Sequence, residues 1–290
     1  MKILEVNPQE YHSKLTCKRD DLFAEDSYLS KSVLWELKNR SPYQWRYYPK
    51  PFTGSKSADW GSVVDCLVTT PHLLDTVVVT HDFDSFRTKE AREFRDEQVA
   101  KGVILMKPSE LEEAKKAAIQ INKHRDAKAI IEGSKQQTVL FGKSNGIQLK
   151  GLADFVPTDA PILADLKTTA NWSRRGLQNT TRDLAYHVQA GLYLFLWNSM
   201  FPEEPRKRFR FVWQQSEAPY EVVVTELPAD DIAAGQEWAA DHIEILARCA
   251  ETKKWPGLLG ERVTLLGRPV SSIYQDEEDR EALPIAPGLK

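Results

Sequence analysis

Two short stretches hold residues whose types and spacing could do chemistry: Gly151-Leu-Ala-Asp154 and Asp165-Leu-Lys167-Thr-Thr169. Both read as strands, so two carboxylates eleven residues apart fall on neighbouring strands. Lys167 follows Asp165 by two, which sends both side chains out of the same strand face. Asp and Lys are poor strand formers, so their place among Ile162, Leu163 and Leu166 needs a reason. A divalent cation supplies one. Hard ions such as Mg²⁺ take oxygen ligands, and a lysine alongside can orient a water or offset charge growing on a phosphate. The bland alternative is a surface ion pair between Asp165 and Lys167, which is common and worth little.

A third stretch follows, Tyr186-His-Val-Gln189-Ala-Gly-Leu-Tyr193. Tyr186, Gln189 and Tyr193 are spaced i, i+3 and i+7 and share one helical face, which can aim them at the acid-bearing strands. Tyrosine packing with Gln189 as a core hydrogen-bonding group remains open at this point.

The elements that must position these groups follow from periodicity. Residues 28–38, 59–68, 185–201 and 228–252 carry helical spacing. Ser30 or Ser32 offers a cap for the first. Ser109-Glu-Leu-Glu112 has the form of a capping box opening a helix to about Arg125, with His124 a surface residue near its end. Short strands are expected at 77–80, 137–141, 147–155, 161–167, 208–213 and 220–225, with a Ser-Asn-Gly turn at 144–146. Residues 83–107 read as charged helix or loop. The order of helices, antiparallel sheet, helix, strands and helix predicts an α+β or mixed α/β fold.

Composition bounds the rest. The chain has 290 residues, 41% hydrophobic and 28% charged, and a net charge of -3. These values fit a globular protein and argue against a disordered chain or a coiled-coil rod. No apolar run reaches the roughly 18 residues of a membrane span. The first residues lack a signal-peptide stretch, so a cytoplasmic location is expected. Cys17, Cys66 and Cys249 lie far apart and form no CxxC, which disfavours a cysteine metal site. The six histidines make no HxxEH pattern, so a histidine-based metallohydrolase is disfavoured too.

Taken in order, Gly-x-x-Asp154, Asp165-Leu-Lys167-Thr-Thr and Gln189-Ala-Gly-Leu-Tyr193 resemble the PD-(D/E)XK nuclease superfamily in its RecB-like form with a QxxxY helix. Leu29-Ser-Lys-Ser-Val-Leu-Trp-Glu-Leu with Ser41-Pro42, Trp60-Gly-Ser-Val-Val-Asp-Cys-Leu-Val, Tyr186-His-Val-Gln189 and Lys254-Trp-Pro256 narrow the resemblance to RecE-type exonucleases of the exodeoxyribonuclease VIII kind. The similarity spans roughly residues 27–260. It implies a restriction-endonuclease-like core, a central mixed sheet flanked by helices. The expected organisation is one nuclease domain over 1–267, with an N-terminal helical segment at about 27–75, a catalytic core at about 76–267 and a flexible tail at 268–290.

The resemblance also implies roles. Asp154, Asp165, Lys167, Gln189 and Tyr193 would be catalytic. Asp65, Asp154, Asp165 and the Leu166 backbone carbonyl would hold Mg²⁺, with Mn²⁺ an alternative. One departure stands out: the family helix reads Gly-x-x-x-His, and here the position after Gly61 that should be histidine is Asp65. Aspartate is a fair oxygen ligand for either ion, but the change leaves a catalytically inactive DNA-binding relative in play. An endonuclease of the same fold is the other alternative. The activity implied is degradation of linear duplex DNA from the 5′ end, leaving a 3′ single strand for recombination. Duplex ends, further copies of the chain in a ring and a single-strand annealing protein would be the partners, with no membrane. Ser30, Ser32, Arg40, Arg46, Arg174, Arg175, Arg206, Lys207 and Arg208 are candidates for phosphate contact, and Trp45, Tyr47 and Trp172 for stacking on bases. Ordinary capping, solvated charge and core packing compete with each.

Overall fold

A computed structural model describes residues 8–50, 54–260 and 263. In chain order its elements are α1 (Pro8–Lys14), β1 (Tyr28–Ser30), α2 (Lys31–Trp35), α3 (Pro42–Tyr47), α4 (Lys56–Thr69), α5 (Leu74–Val77), β2 (Val78–Thr80), α6 (Lys89–Ala100), β3 (Ile104–Met106), α7 (Pro108–Lys123), α8 (Arg125–Glu132), β4 (Ser134–Ser144), β5 (Ile147–Pro157), β6 (Ile162–Thr169), α9 (Arg174–Asp183), α10 (Tyr186–Met200), β7 (Arg208–Gln215), β8 (Val222–Glu226) and α11 (Ala229–Thr252). The expected tail at 268–290 lies outside the described residues.

The main sheet runs β1-β5-β6-β7-β8, with β4 paired to β5. It is mixed. β4–β5, β5–β6 and β7–β8 are antiparallel, whereas β1–β5 and β6–β7 are parallel. One apolar core joins the sheet to α10 and α11, and a second joins it to α4, α7 and α8. The expected central mixed sheet between helical layers is therefore present.

The β4–β5 hairpin turns where the Asn-Gly signal placed it. Asn145 (φ 48) and Gly146 (φ 79) are both left-handed, the conformation that matches the twist of a tight hairpin. From Ser144↔Ile147 the register runs back without a slip to Ser134↔Pro157. β5 has two partners on its remaining flank. β1 pairs with residues 148–150, and β6 pairs only at Phe155↔Ala164. Between those contacts β5 has no backbone ladder with either strand, and a gap opens beside residues 151–154.

Some sequence expectations need correction. Residues 28–38 do not form one helix: Tyr28–Ser30 is a strand, because its backbone is recruited by β5, and helix begins only at Lys31. The α7 cap is Lys107, not Ser109. Pro108 takes the first helical position, and the Lys107 N–H donates to Glu110 Oε2 at 2.8 Å. His124 is no plain surface residue, since its Nδ1 accepts from Ala127 N at 3.2 Å and caps α8. Ile104–Met106, read as helix or loop, is a strand parallel to β2. Tyr220 falls before β8 rather than within it.

Two candidate DNA contacts prove structural. Trp45 is fully buried, donates from Nε1 to the Val33 carbonyl at 2.8 Å and stacks on Trp255. Arg206 is buried against Trp197 and donates to the carbonyls of Pro157 (2.7 Å) and Ile162, tying the β5–β6 turn to the end of α10. Replacing it strands buried acceptors. Arg206→Ala is expected to lower unfolding free energy by about 3 kcal/mol, from the loss of charge-assisted hydrogen bonds. Urea unfolding followed by circular dichroism checks this, and an unchanged midpoint contradicts the stapling role.

Candidate active site

The gap beside β5 gathers the acids predicted from sequence. Asp154 turns one oxygen to β6, where Oδ2 accepts the Leu166 N–H at 2.9 Å in place of a β5 carbonyl. A strand residue presents its N–H and C=O on the same side, so the Leu166 carbonyl faces the same gap. Asp165 and Lys167 share the face of β6 toward α10, as their spacing requires. Asp165 is almost fully buried, and Lys167 Nζ pairs with its Oδ2. Gln189, from α10, donates to Asp165 Oδ1 at 2.7 Å. Asp65 arrives from α4 on the other side of the sheet, so three elements deliver three carboxylates.

Small residues permit this approach. A Cβ on Gly151 would meet the Tyr193 ring at 2.8 Å, so only glycine lets α10 lie this close to β5. A Cβ on Gly61 would meet Thr168 Oγ1 at 3.0 Å, and its absence lets α4 settle on β6. The glycines of both motifs are thus packing requirements of the acid cluster.

The electrostatics follow from crowding like charges in a partly dry site. Burial, reinforced by the Asp165 charge and offset in part by Lys167, pushes Asp65 up to about 7. Burial, with Asp165 and Asp65 nearby, raises Asp154 well above the usual carboxylate range. Burial acts to lower Lys167, but Asp165, Tyr186 and Asp154 outweigh it and hold the ammonium above its ordinary value. Its Nζ also lies 4.6 Å from the centre of the Tyr186 ring.

Two neighbours, Gln137 and Lys31, escaped the sequence reading, whereas Tyr186 was already aimed at the acid-bearing strands by its helical spacing. Gln137, on β4, donates from Nε2 toward Asp65, Asp154 and Thr69. Counting back from the Asn-Gly turn would have placed it opposite Asp154. Tyr186, not Tyr193, covers the Lys167 ammonium, and Tyr193 instead packs on Gly151. Lys31 donates to the Leu184 carbonyl, exposed by the left-handed turn at Ala185 between α9 and α10. Burial and the Lys167 charge, with Asp165 opposing, lower Lys31 to about 7.

The other predicted contacts scatter. Ser30 Oγ caps the short α2 by accepting from Val33 N, and Ser32 is exposed. Arg40 is tied to Glu36 and to the Gln44 and Tyr48 carbonyls. Arg46 lies beside the Tyr47 and Trp255 rings, Trp172 bonds Glu221, and Arg208 pairs with Glu226. Arg174 and Arg175 stand exposed on the first turn of α9, and Lys207 is exposed before β7.

Asp65, Asp154, Asp165 and the Leu166 carbonyl make an all-oxygen set, the chemistry that suits Mg²⁺ or Mn²⁺. Among the described residues no three His, Cys, Asp or Glu side chains already close around one point as a finished metal cage. The Gln137 amide and the Lys167 ammonium sit among the acids. Both are positive ends of dipoles or charges, and the donor set fits a cation in kind.

Comparison with known proteins decides the fold family. Residues 46–264 match the family described as a PDDEXK-like domain of unknown function, DUF3799. The chain belongs to this PDDEXK-like family. A solved structure of a presumptive exonuclease from Eubacterium rectale shares the fold, with a TM-score of 0.59 at 12% identity over 94% of this chain and 98% of that one. Weaker likenesses are a phage-related exonuclease from Haemophilus somnus (TM-score 0.39, 9% identity, 87% and 97% covered) and an alkaline exonuclease from Laribacter hongkongensis (TM-score 0.29, 15% identity, 68% and 95% covered). No curated protein matches. Membership in the PDDEXK-like family agrees with the resemblance read from the motifs. No helix among the described residues is long and apolar enough to cross a membrane.

The raised acids set a pH dependence. An acid whose folded pKa lies above its unfolded value stabilises the fold at low pH and loses that contribution as pH rises through the folded value. For Asp65 the window runs from about 4 to about 7, and Asp154 acts in the same direction. Melting temperature in EDTA should fall across this window. Asp65→Asn, which resembles the protonated form, should flatten the fall. An equally steep slope in the variant would contradict the assignment.

Proposed function

We propose that this PDDEXK-like protein is a metal-dependent exodeoxyribonuclease acting on the ends of linear double-stranded DNA. The observation that carries the reading is that Gln137 Nε2 bridges Asp65 (3.2 Å) and Asp154 (3.4 Å), from α4 and β5, while Asp154 accepts the Leu166 N–H of β6 at 2.9 Å between Asp165 and its partner Lys167. Asp154 and Asp165, with Asp65 and the Leu166 carbonyl, would hold Mg²⁺, or Mn²⁺ in its place. When bound, the ion lowers the pKa of a water and neutralises charge on the phosphate and leaving oxygen.

The protein's own groups do the rest. Gln189 fixes one oxygen of Asp165, so the carboxylate cannot rotate, and the other oxygen faces Lys167. Lys167, kept cationic by Asp165, orients the attacking water and offsets charge on the crowded phosphorus. The water oxygen bonds to phosphorus as the phosphorus–ester oxygen bond breaks; the attacking water gives up a proton to solvent, and the leaving oxygen takes one from solvent to become a hydroxyl. No covalent enzyme intermediate is required. Tyr193 acts through packing, holding α10 against Gly151 so that Gln189 stays in reach.

Resection from the 5′ end, leaving a 3′ strand for an annealing protein, completes the proposal. A ring of several copies would retain a chain of net charge -3 on a polyanion by topology rather than by bulk attraction. Arg174, Arg175 and Lys207 are the exposed cations offered to phosphates, where each contact would steepen the salt dependence of binding. A cytoplasmic location remains part of the same reading.

The test is cleavage of end-labelled linear and covalently closed circular duplexes with Mg²⁺. Wild type should shorten linear DNA and spare the circle. Asp165→Ala should lose at least about a hundredfold in rate. Equal activity of both proteins removes the site, and digestion of the circle makes the enzyme an endonuclease instead.

A further inference from the structure

Gln137 sits in β4 with φ +47, a left-handed conformation that an L side chain rarely adopts in a strand. Strain of this kind tends to persist where the surroundings impose it. Here the reason is visible. Gln137 lies directly across from Asp154 in the hairpin register, between the Gln136↔Phe155 and Thr138↔Ala153 pairs. Its Nε2 has four oxygens around it: Asp65 Oδ1 at 3.4 Å, Asp65 Oδ2 at 3.2 Å, Thr69 Oγ1 at 3.3 Å and Asp154 Oδ1 at 3.4 Å.

An amide nitrogen has two hydrogens and cannot serve four acceptors well. All four distances also exceed the usual 2.9–3.0 Å of an N–H···O bond. One centre surrounded by several oxygens, two carboxylates among them, is the environment of a cation rather than of an amide. The amide's other end is an oxygen of the kind that binds hard cations. A half-turn of the terminal torsion exchanges nitrogen for oxygen without moving the backbone.

We propose that Gln137 is a two-state ligand of the acid cluster. Without a cation its N–H₂ bridges Asp65 and Asp154 and keeps the two carboxylates together. With a divalent cation present the amide turns over and its Oε1 joins Asp65 and Asp154 as a ligand. This rests on the reading of the cluster as a divalent-cation site. It adds a residue from β4 to a set otherwise drawn from α4, β5 and β6, and it gives a purpose to the strained backbone at Gln137.

The experiment measures Mn²⁺ binding by calorimetry at neutral pH for the full-length wild type, Gln137→Ala and Gln137→Glu, with melting temperatures in EDTA and the side-chain amide resonances of the wild type. Gln137→Ala should weaken Mn²⁺ binding about tenfold. Gln137→Glu, which offers a charged oxygen at the same place, should tighten it by a similar factor while lowering the melting temperature in EDTA. In wild type, the amide pair absent from the spectrum of Gln137→Ala should shift on adding Mg²⁺. Unchanged Mn²⁺ affinity in both variants, with destabilisation alone, overturns the ligand role and leaves Gln137 a packing residue. An amide pair that ignores Mg²⁺ while wild type binds it overturns the turnover. If wild type binds no Mn²⁺ at all, the cation-site reading fails first, and the inference falls with it. The Asp165→Ala cleavage assay distinguishes that case, because loss of cutting there upholds the active site irrespective of Gln137.

Discussion

The rest of the structure is organised around the cost of bringing three carboxylates together in a half-dry gap. Like charges at close range in a low-dielectric setting repel strongly, and taking each from water adds a desolvation cost. The raised pKa values of Asp65 and Asp154 are the direct expression of both effects. A fold does not keep such an arrangement without counter-charge or donors. Lys167 pairs with Asp165, Gln189 donates to Asp165, the Leu166 N–H donates to Asp154, and Gln137 bridges Asp154 and Asp65. Each compensating group is partial. In the proposed reading, a divalent cation would meet the remaining demand for positive charge and through it engage a phosphodiester.

The scaffold follows from that demand. β5 must part from β6 after Phe155↔Ala164, or a continuous ladder would fill the gap with backbone. α4 must lie against β6 to deliver Asp65, which the missing side chain at Gly61 allows. α10 must lie against β5 to deliver Gln189, which Gly151 allows. The two apolar cores, one on each face of the sheet, hold these helices from opposite sides. Asp65 adds a carboxylate at the position where the resemblance to RecE-type exonucleases implies a histidine, and Gln137 stands beside it.

Much of this was legible in the sequence where local rules dominate. Period-two spacing put Asp165 and Lys167 on one face, an Asn-Gly pair fixed the hairpin, and helical spacing in a mostly apolar stretch marked α10. What escaped depends on partners distant in the chain. Tyr28–Ser30 has no strand signature of its own and becomes one only by pairing with β5. Arg206 reads as a surface cation until the carbonyls of Pro157 and Ile162 surround it. Gln137 is an unremarkable polar residue on a strand until the hairpin register sets it opposite Asp154. In each case the residue type was visible and its partner was not, because the partner is chosen by tertiary packing.

The central claim is that the gap between β5 and β6 is a divalent-cation site. Crystals grown with Mn²⁺ and measured at its absorption edge test this directly. The account predicts an anomalous peak bounded by the carboxylates of Asp65, Asp154 and Asp165. A well-occupied Mn²⁺ elsewhere, with these three carboxylates still held only by Gln137, Gln189, Lys167 and the Leu166 N–H, would contradict it.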